Sequence, residues 1–550
     1  MQGFTPYPPE YAARYRAAGY WKDETIANRF QRVCAGFAER VAVVAGDREY
    51  TYAEIDETAG RAALNLLDSG LRPGDIVVLQ LGNIIEFVYL HLAFQKAGIR
   101  PILALHTHRY SELKQFVELS GAVALFTADR ARDCDFRDIG DQIQKEAPTL
   151  RHKFVLGETR PGFGSIEALL TKTSKRHLID LDVIQDDIDC SEPALFLLSG
   201  GTTAIPKLIP RTHNDYIYNS EMASSVTGVG PDRVLLIVLP VAHNLPLACP
   251  GLQGFMLHGG KCVLHGGSKP EQVFPLIEKH GVTHIHVVPA LLITWMNSPA
   301  VADFDLSSVR VIQSGGQRLQ PETRLLTEAV LPDCLVQENF GMAEGLLMFV
   351  RLDDPADVRL ETVGRPICPD DEVLLLGEDD EPVAFGEVGE FCARGPYTLR
   401  GYLNAPDHNA RAFTPEGFYR SGDLMRRHPS GNYIVEGRKK DVINRGGEKI
   451  SAEEVENLIL AHPAVENIAC VSMADPVMGE KMCACVILKV GASLTFDEMF
   501  THLVAQDIAK YKLPERLEVF DAFPLSTFGK VSKKDLVESV RLRIATAAAA

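Results

Sequence analysis

Apolar positions along the chain gather into short runs, each ending in a glycine or proline turn, at residues 195–198, 234–239, 284–288 and 309–313. Their lengths and flanks predict buried parallel strands, and amphipathic stretches such as 271–280 lie between some of them as helices. An α/β fold follows. From 372 to 436 apolar stretches are separated by acidic or glycine turns, as at 378–381 and 429–432, which predicts a β-rich subdomain. Beyond Gly437 a basic stretch leads into Ser451-Ala-Glu-Glu454, whose spacing predicts a capping box at the start of a helix, and then a small α+β module. The expected organisation is a large domain over 1–436, with two α/β subdomains and the β-rich one, and a small domain over 437–550. The segment 234–257 holds His243, Asn244 and three prolines, so it predicts a buried strand and a functional loop rather than a membrane span. No internal repeat is visible, and the alanine-rich end at 545–550 is expected to fray.

At 550 residues the chain exceeds a single domain of about 100 to 200 residues several times over. Hydrophobic residues at 46% and charged residues at 23%, with glycine and proline dispersed, exclude wholesale disorder and fibrous classes. Basic residues number 56 and acidic ones 73, a net of -17 that repels nucleic acid and anionic membranes alike. Neither is expected as a partner. Of this charge, residues 437–550 carry 15 Lys plus Arg against 16 Asp plus Glu, or -1, and the large domain holds the other -16. Within that near-neutral segment Arg438, Lys439, Lys440, Arg445 and Lys449 form a basic cluster. Eleven cysteines run from Cys34 to Cys485 behind an N-terminus without an apolar core, so a reduced, cytoplasmic setting is expected. Cys483 and Cys485 share a strand face but lack a second close pair, so no zinc site is expected there or at His284 and His286.

The segment Ser-Gly-Gly-Thr-Thr-Ala-Ile-Pro-Lys at 199–207 follows the apolar run 194–198. Glycines and hydroxyls at a strand end let backbone N–H groups and side-chain donors surround a phosphate chain, with a lysine completing the charge match. A P-loop does not fit: with Gly201 as its first glycine, Pro206 takes the second glycine position and Leu208 the hydroxyl position. Alone, the segment reads equally as a surface turn.

Further motifs follow in order: Asn-Phe-Gly-Met-Ala-Glu at 339–344, Gly-Glu-Phe-Cys-Ala-Arg-Gly-Pro at 389–396, Tyr-Arg-Ser-Gly-Asp at 419–423, Gly-Arg-Lys-Lys-Asp at 437–441 and Pro-Leu-Ser-Thr-Phe-Gly-Lys at 524–530. Through this set the sequence resembles the adenylate-forming superfamily over essentially its whole length. Finer details, at 208–215, His243-Asn244, Met-Ala-Glu at 342–344 and 444–449, are similar to free-standing aryl-acid AMP ligases that load carrier proteins in siderophore assembly. Salicylate and 2,3-dihydroxybenzoate ligases are the nearest in kind.

The resemblance implies ATP and Mg2+ as cofactors and a two-step reaction. A carboxylate attacks the α-phosphate of ATP, pyrophosphate leaves, and a thiol then opens the acyl-adenylate to a thioester. The phosphate loop would comprise Ser199, Gly200, Gly201, Thr202, Thr203 and Lys207. Lys530 would bridge carboxylate and α-phosphate, Glu344 would hold Mg2+, and His243 joins these as catalytic. Asp423 would bind the ribose hydroxyls beside Arg438, Phe340 would stack on adenine next to Gly341, and Gly315 and Gly316 would let backbone approach the base. Lys440 matches the hinge about which the small domain turns between half-reactions. The thiol would be the phosphopantetheine of an aryl carrier protein supplied in trans, since no carrier unit follows Lys534, or else coenzyme A. Homodimerisation is left open.

By the same resemblance Asn244 bonds the ortho hydroxyl and Cys249 faces the next ring carbon, where dihydroxybenzoate enzymes tend to carry serine. A thiol bonds weakly and suits C–H, which favours salicylate; the plain alternative is a buried small residue. Three positions depart from the pattern: Leu245 for an aromatic residue, Asn339 for valine and Ala204 for glycine. Asn339 could meet a ring substituent or heteroatom, which keeps a hydroxypicolinate among the candidate acids, or turn to a backbone partner. A non-catalytic nucleotide-binding protein is the contrasting class, and retention of Lys530, Glu344 and Asp423 argues against it.

Overall fold

The computed structural model describes residues 1–549 except 132–133, 200–205, 447, 507 and 527–529. Two sheets form the body of the large domain. One has seven strands; Arg100–Leu103, Ile76–Gln80, Ala124–Ala128, His152–Leu156 and Pro193–Leu198 run parallel, and Leu208–Thr212 closes an edge antiparallel. The other has nine, with Val41–Ala45, Lys261–Leu264, Val234–Ile237, His284–Val287, Val311–Gly315 and Leu335–Gly341 parallel.

Alternate residues of each strand enter different cores. Val77, Leu79, Leu235 and Ile237 meet in one cluster with helices Tyr52–Asp68 and Ile85–Lys96, which lie between the sheets. Ile76 and Val78 pack outward into a second cluster, and Leu236 and Ile285 into a third. Both faces of each sheet are thus buried, which is why the strands read as continuous apolar runs.

The β-rich region is a four-stranded antiparallel sheet of Glu372–Leu376, Gly389–Arg394, Tyr419–Arg427 and Tyr433–Arg438. A single 3-10 turn, Lys439–Asp441, joins it to the small domain, whose sheet comprises Val442–Arg445, Glu448–Ser451, Val465–Asp475, Gly479–Leu488 and Arg516–Val519.

Several expectations need correction. The strand expected at 309–313 is Val311–Gly315, because the Val309 N–H is held in a turn by the Leu306 carbonyl. The functional loop after Ile237 is mostly two short helices, Asn244–Ala248 and Gly251–Met256. Ser451 caps helix Ala452–Leu460 through the Glu454 N–H, but the Glu454 carboxylate takes two bonds from Lys512 at 2.7 Å instead of completing a capping box. Helix Lys533–Ala549 takes in the alanines from 545 to 549, as the high helix propensity of alanine favours. Much of the basic cluster is paired: Arg438 with Asp423, Lys439 with Glu390, Arg445 with Glu515.

All eleven cysteines are free thiols, and all but Cys134 are buried. Among the described residues no helix is long and apolar enough to cross a membrane. Among the described residues no group of three or more His, Cys, Asp and Glu is placed to hold a metal ion.

Candidate active site

The motifs converge at the carboxyl ends of the parallel strands, where open α/β sheets bind their ligands. Strand Pro193–Leu198 ends at Ser199, whose N–H donates to the Lys207 carbonyl at 3.0 Å while its Oγ accepts from the Lys207 N–H at 2.9 Å. These bonds pin both ends of the glycine-threonine loop; Gly200, Gly201, Thr202, Thr203 and Ala204 themselves lie outside the described residues. The Lys207 ammonium sits 5.8 Å from the Tyr402 ring centroid, a cation–π contact.

Lys530 reaches this edge from the small domain. It lies against Gly316: a Cβ there would come within 2.6 Å of the Lys530 Cε and displace the end of that side chain, and φ of +89° itself calls for glycine. Burial chiefly, with Arg438 adding to it and Asp423 and Glu344 opposing, lowers the ammonium from 10.5 to about 8. Two cations and two carboxylates thus share the site and nearly cancel. A bound triphosphate would need further positive charge.

Asp423 and Arg438 are register partners on adjacent strands, joined at 2.8 Å through Oδ1. Asp423 is buried, its carboxyl raised chiefly by that burial, and its Oδ2 has no hydrogen-bond partner. Burial likewise raises Glu344, whose Oε1 accepts from the Tyr402 hydroxyl at 2.7 Å, with Tyr419 bonded to Tyr402 behind it. One buried carboxylate fits the usual Mg2+ arrangement, in which one or two carboxylates act with substrate phosphates and water. Phe340 is half-buried and sets its edge against Phe391 at 5.4 Å, while the next residue, Gly341, is exposed.

On the other side of Lys530, His243 accepts the Leu245 N–H through Nδ1 and so caps helix Asn244–Ala248. Burial, with Lys530 adding to it, pushes the imidazole down to about 3, so it is neutral. Asn244 is buried and its Oδ1 accepts from the Tyr216 hydroxyl at 3.0 Å. Leu245 and Cys249 lie in one apolar cluster with Leu347, Phe349 and Tyr397. Burial pushes the Cys249 thiol up to about 12, with only a long 3.9 Å contact from the Asn219 amide. Asn339 is buried on the strand next to Gly315 and makes no backbone bond through Nδ2. Lys440 is exposed in the 3-10 turn between the two domains' sheets, where burial and Arg438 lower its ammonium and Asp441 and Asp423 oppose this.

Sequence reasoning passed over two supports. Tyr402 orients Glu344 but lies in a loop with no periodic signal. Arg211 is fully buried, pairs with Asp215 at 2.8 Å and donates to the carbonyls of Ala343 and Tyr397, bracing the turn that carries Glu344. The i,i+4 Arg-Asp spacing could have disclosed that pair.

A model of AMP-binding enzymes matches residues 30–403, and one of the AMP-binding enzyme C-terminal domain matches 454–530. The chain is an AMP-binding enzyme. Within this family it is 45% identical to a Streptomyces salicylyl-CoA synthase / salicylate adenylyltransferase, over 98% of each chain. Identity is 42% with the salicyl-AMP ligase / salicyl-S-ArCP synthetase of Mycobacterium tuberculosis, over 99% of this chain and 96% of that one. It is 41% with the 2,3-dihydroxybenzoate-AMP ligase of Bacillus subtilis, over 98% of each. The apo structure of Mycobacterium smegmatis MbtA superposes with a TM-score of 0.74 at 40% identity, covering 98% of both chains. These relatives group this AMP-binding enzyme with the aryl-acid AMP ligases.

Proposed function

We propose that the protein activates a 2-hydroxyaryl acid with ATP and passes the acyl group to the phosphopantetheine thiol of an aryl carrier protein, in siderophore or related nonribosomal peptide synthesis. The observation that carries this is Lys530, lodged on Gly316 between the Asp423–Arg438 pair and Glu344. Salicylate stands ahead of 2,3-dihydroxybenzoate because Cys249, which lies in an apolar cluster and has weak bonding capacity, would face the ring.

In this reading the aryl carboxylate oxygen attacks the α-phosphorus, the bond to the bridging oxygen breaks and pyrophosphate departs. The Lys530 ammonium holds the two anions together and stabilises charge on the transferring group. Mg2+ would be held by Glu344 and supply charge neutralisation at the phosphates. Asp423 would receive the ribose hydroxyls on its unbonded Oδ2, Arg438 would keep that carboxylate oriented, Phe340 would cover adenine beside Gly341, and the 199–207 loop would close on the phosphates. Asn244, oriented by Tyr216, would bond the 2-hydroxyl, with Leu245, Cys249 and Asn339 around the ring. Neutral His243 would position this helix beside Lys530 without adding charge.

The small domain would then turn about Lys440, with the division between domains at 436–440, withdrawing Lys530 and admitting the thiol. The carrier thiol attacks the acyl carbon and AMP leaves. Eleven free thiols suit a reduced, cytoplasmic setting. Coenzyme A is the second acceptor, favoured by the name of the 45% identical relative.

Aryl-acid-dependent exchange of labelled pyrophosphate into ATP tests the first half-reaction, and acyl transfer to holo carrier protein against coenzyme A tests the second. Exchange is expected with 2-hydroxyaryl acids; none with any of them refutes the substrate class.

A further inference from the structure

Asn339 is the register partner of Gly315 in the parallel ladder and of Phe349 in the antiparallel one, so its side chain shares a face with Phe349 and with Leu347 two residues away. Leu347 and Phe349 pack with Leu245 and Cys249. That face therefore looks onto helix Asn244–Ala248, at the strand end beside the Gly316 backbone on which Lys530 rests.

Here the chain has buried an amide whose nitrogen makes no hydrogen bond. Asn339 is 6% exposed and its Nδ2 has no hydrogen-bond partner. Its Oδ1 lies 2.2 Å from where a Cβ on Gly315 would stand, so a glycine Cα–H points at the oxygen as a weak C–H···O contact. The opposite amide orientation would set N–H against C–H. The glycine thus selects the orientation in which the NH2 is the unused half.

We propose that the Asn339 amide binds substrate, donating to a hydrogen-bond acceptor on the ring edge. The acid then carries, besides its carboxylate and 2-hydroxyl, either a ring nitrogen or a second hydroxyl. The inference rests on the aryl-acid reading above and reorders the substrates within it. Salicylate offers no such acceptor and leaves the amide unpaired, and a site built to bond a group discriminates against the analogue lacking it. The loss of one neutral hydrogen bond with a buried donor stranded corresponds to about tenfold to a hundredfold in kcat/KM.

The test is pyrophosphate exchange with 3-hydroxypicolinate, 2,3-dihydroxybenzoate and salicylate. It uses the wild-type chain, Asn339→Leu, which keeps the shape and loses the amide, and Asn339→Asp, which replaces the donor with a carboxylate. In the wild type one acceptor-bearing acid should exceed salicylate in kcat/KM by tenfold or more. Asn339→Leu should shrink that ratio at least tenfold, through KM for the acceptor-bearing acid, with salicylate held or improved. Asn339→Asp separates the sources: a ring nitrogen loses its donor, whereas a hydroxyl can turn and donate to the carboxylate. A wild type that prefers salicylate to both acids overturns the proposal even where a variant does not fold, as does a ratio unchanged in Asn339→Leu. Absence of exchange with all three acids in the wild type instead refutes the aryl-acid reading itself.

Discussion

Adenylation should lose its driving charge near pH 8, because Lys530 titrates there. Burial and Arg438 bring the ammonium from 10.5 to about 8 in the free enzyme. A group at 8 is roughly 90% protonated at pH 7 and roughly 10% at pH 9, so kcat/KM should fall about tenfold across that window; a lysine at 10.5 would lose only about 3%. The sign is fixed by role: the protonated form is the active one, so activity is present below the pKa and lost above it. Pyrophosphate exchange followed from pH 6.5 to 9.5 measures this, with kcat/KM for ATP reporting the free enzyme and kcat the loaded one. Bound phosphates favour the ammonium, so the kcat limb should move to higher pH. Lys530→Arg, whose charge persists throughout, should be slower but flat across the window. A wild-type profile flat from pH 7 to 9, or a limb surviving in Lys530→Arg, refutes the reasoning.

Gly316→Ala would force a side chain into a +89° backbone and against the Lys530 Cε; adenylation should drop by tenfold or more while thioester formation from supplied acyl-adenylate persists, and equal loss of both steps contradicts the role given to Lys530. Cys249→Ser should raise the ratio of 2,3-dihydroxybenzoate to salicylate exchange rates, since a hydroxyl bonds a 3-hydroxyl better than a thiol does; an unchanged ratio reduces Cys249 to packing. Arg211→Met should strand the buried Asp215 carboxylate and lower stability by about 3–5 kcal/mol in urea unfolding, with Asp215→Asn in the same chain recovering part of it. A loss under about 1 kcal/mol would mean the pair is not held as described.

The large α/β body was legible because both faces of its strands are buried, so several of them, such as Val234–Ile237 and Pro193–Leu198, wrote themselves as apolar runs. Motif order carried the candidate site, and residues such as Asp423 and Lys530 belong to segments whose sequence is constrained locally. What escaped were relations across the fold. Tyr402 meets Glu344 from 58 residues away, and nothing in either segment encodes that encounter. The basic cluster at 438–449 gave no sign of its partners beyond Asp423, yet Lys439 and Arg445 also find carboxylates, at Glu390 and Glu515. The Glu454 carboxylate left its expected capping bond for Lys512, a choice made by tertiary packing.

The distribution of thiols has a practical use. Only Cys134 is not buried, and the other ten cysteines are spread over several layers: Cys262 in the nine-stranded sheet, Cys392 in the β-rich sheet, Cys470, Cys483 and Cys485 in the small domain. A thiol reagent added to the native protein should therefore mark one site promptly and the rest only as their segments open. The order in which those sites become labelled would rank the layers by local stability, without any introduced probe.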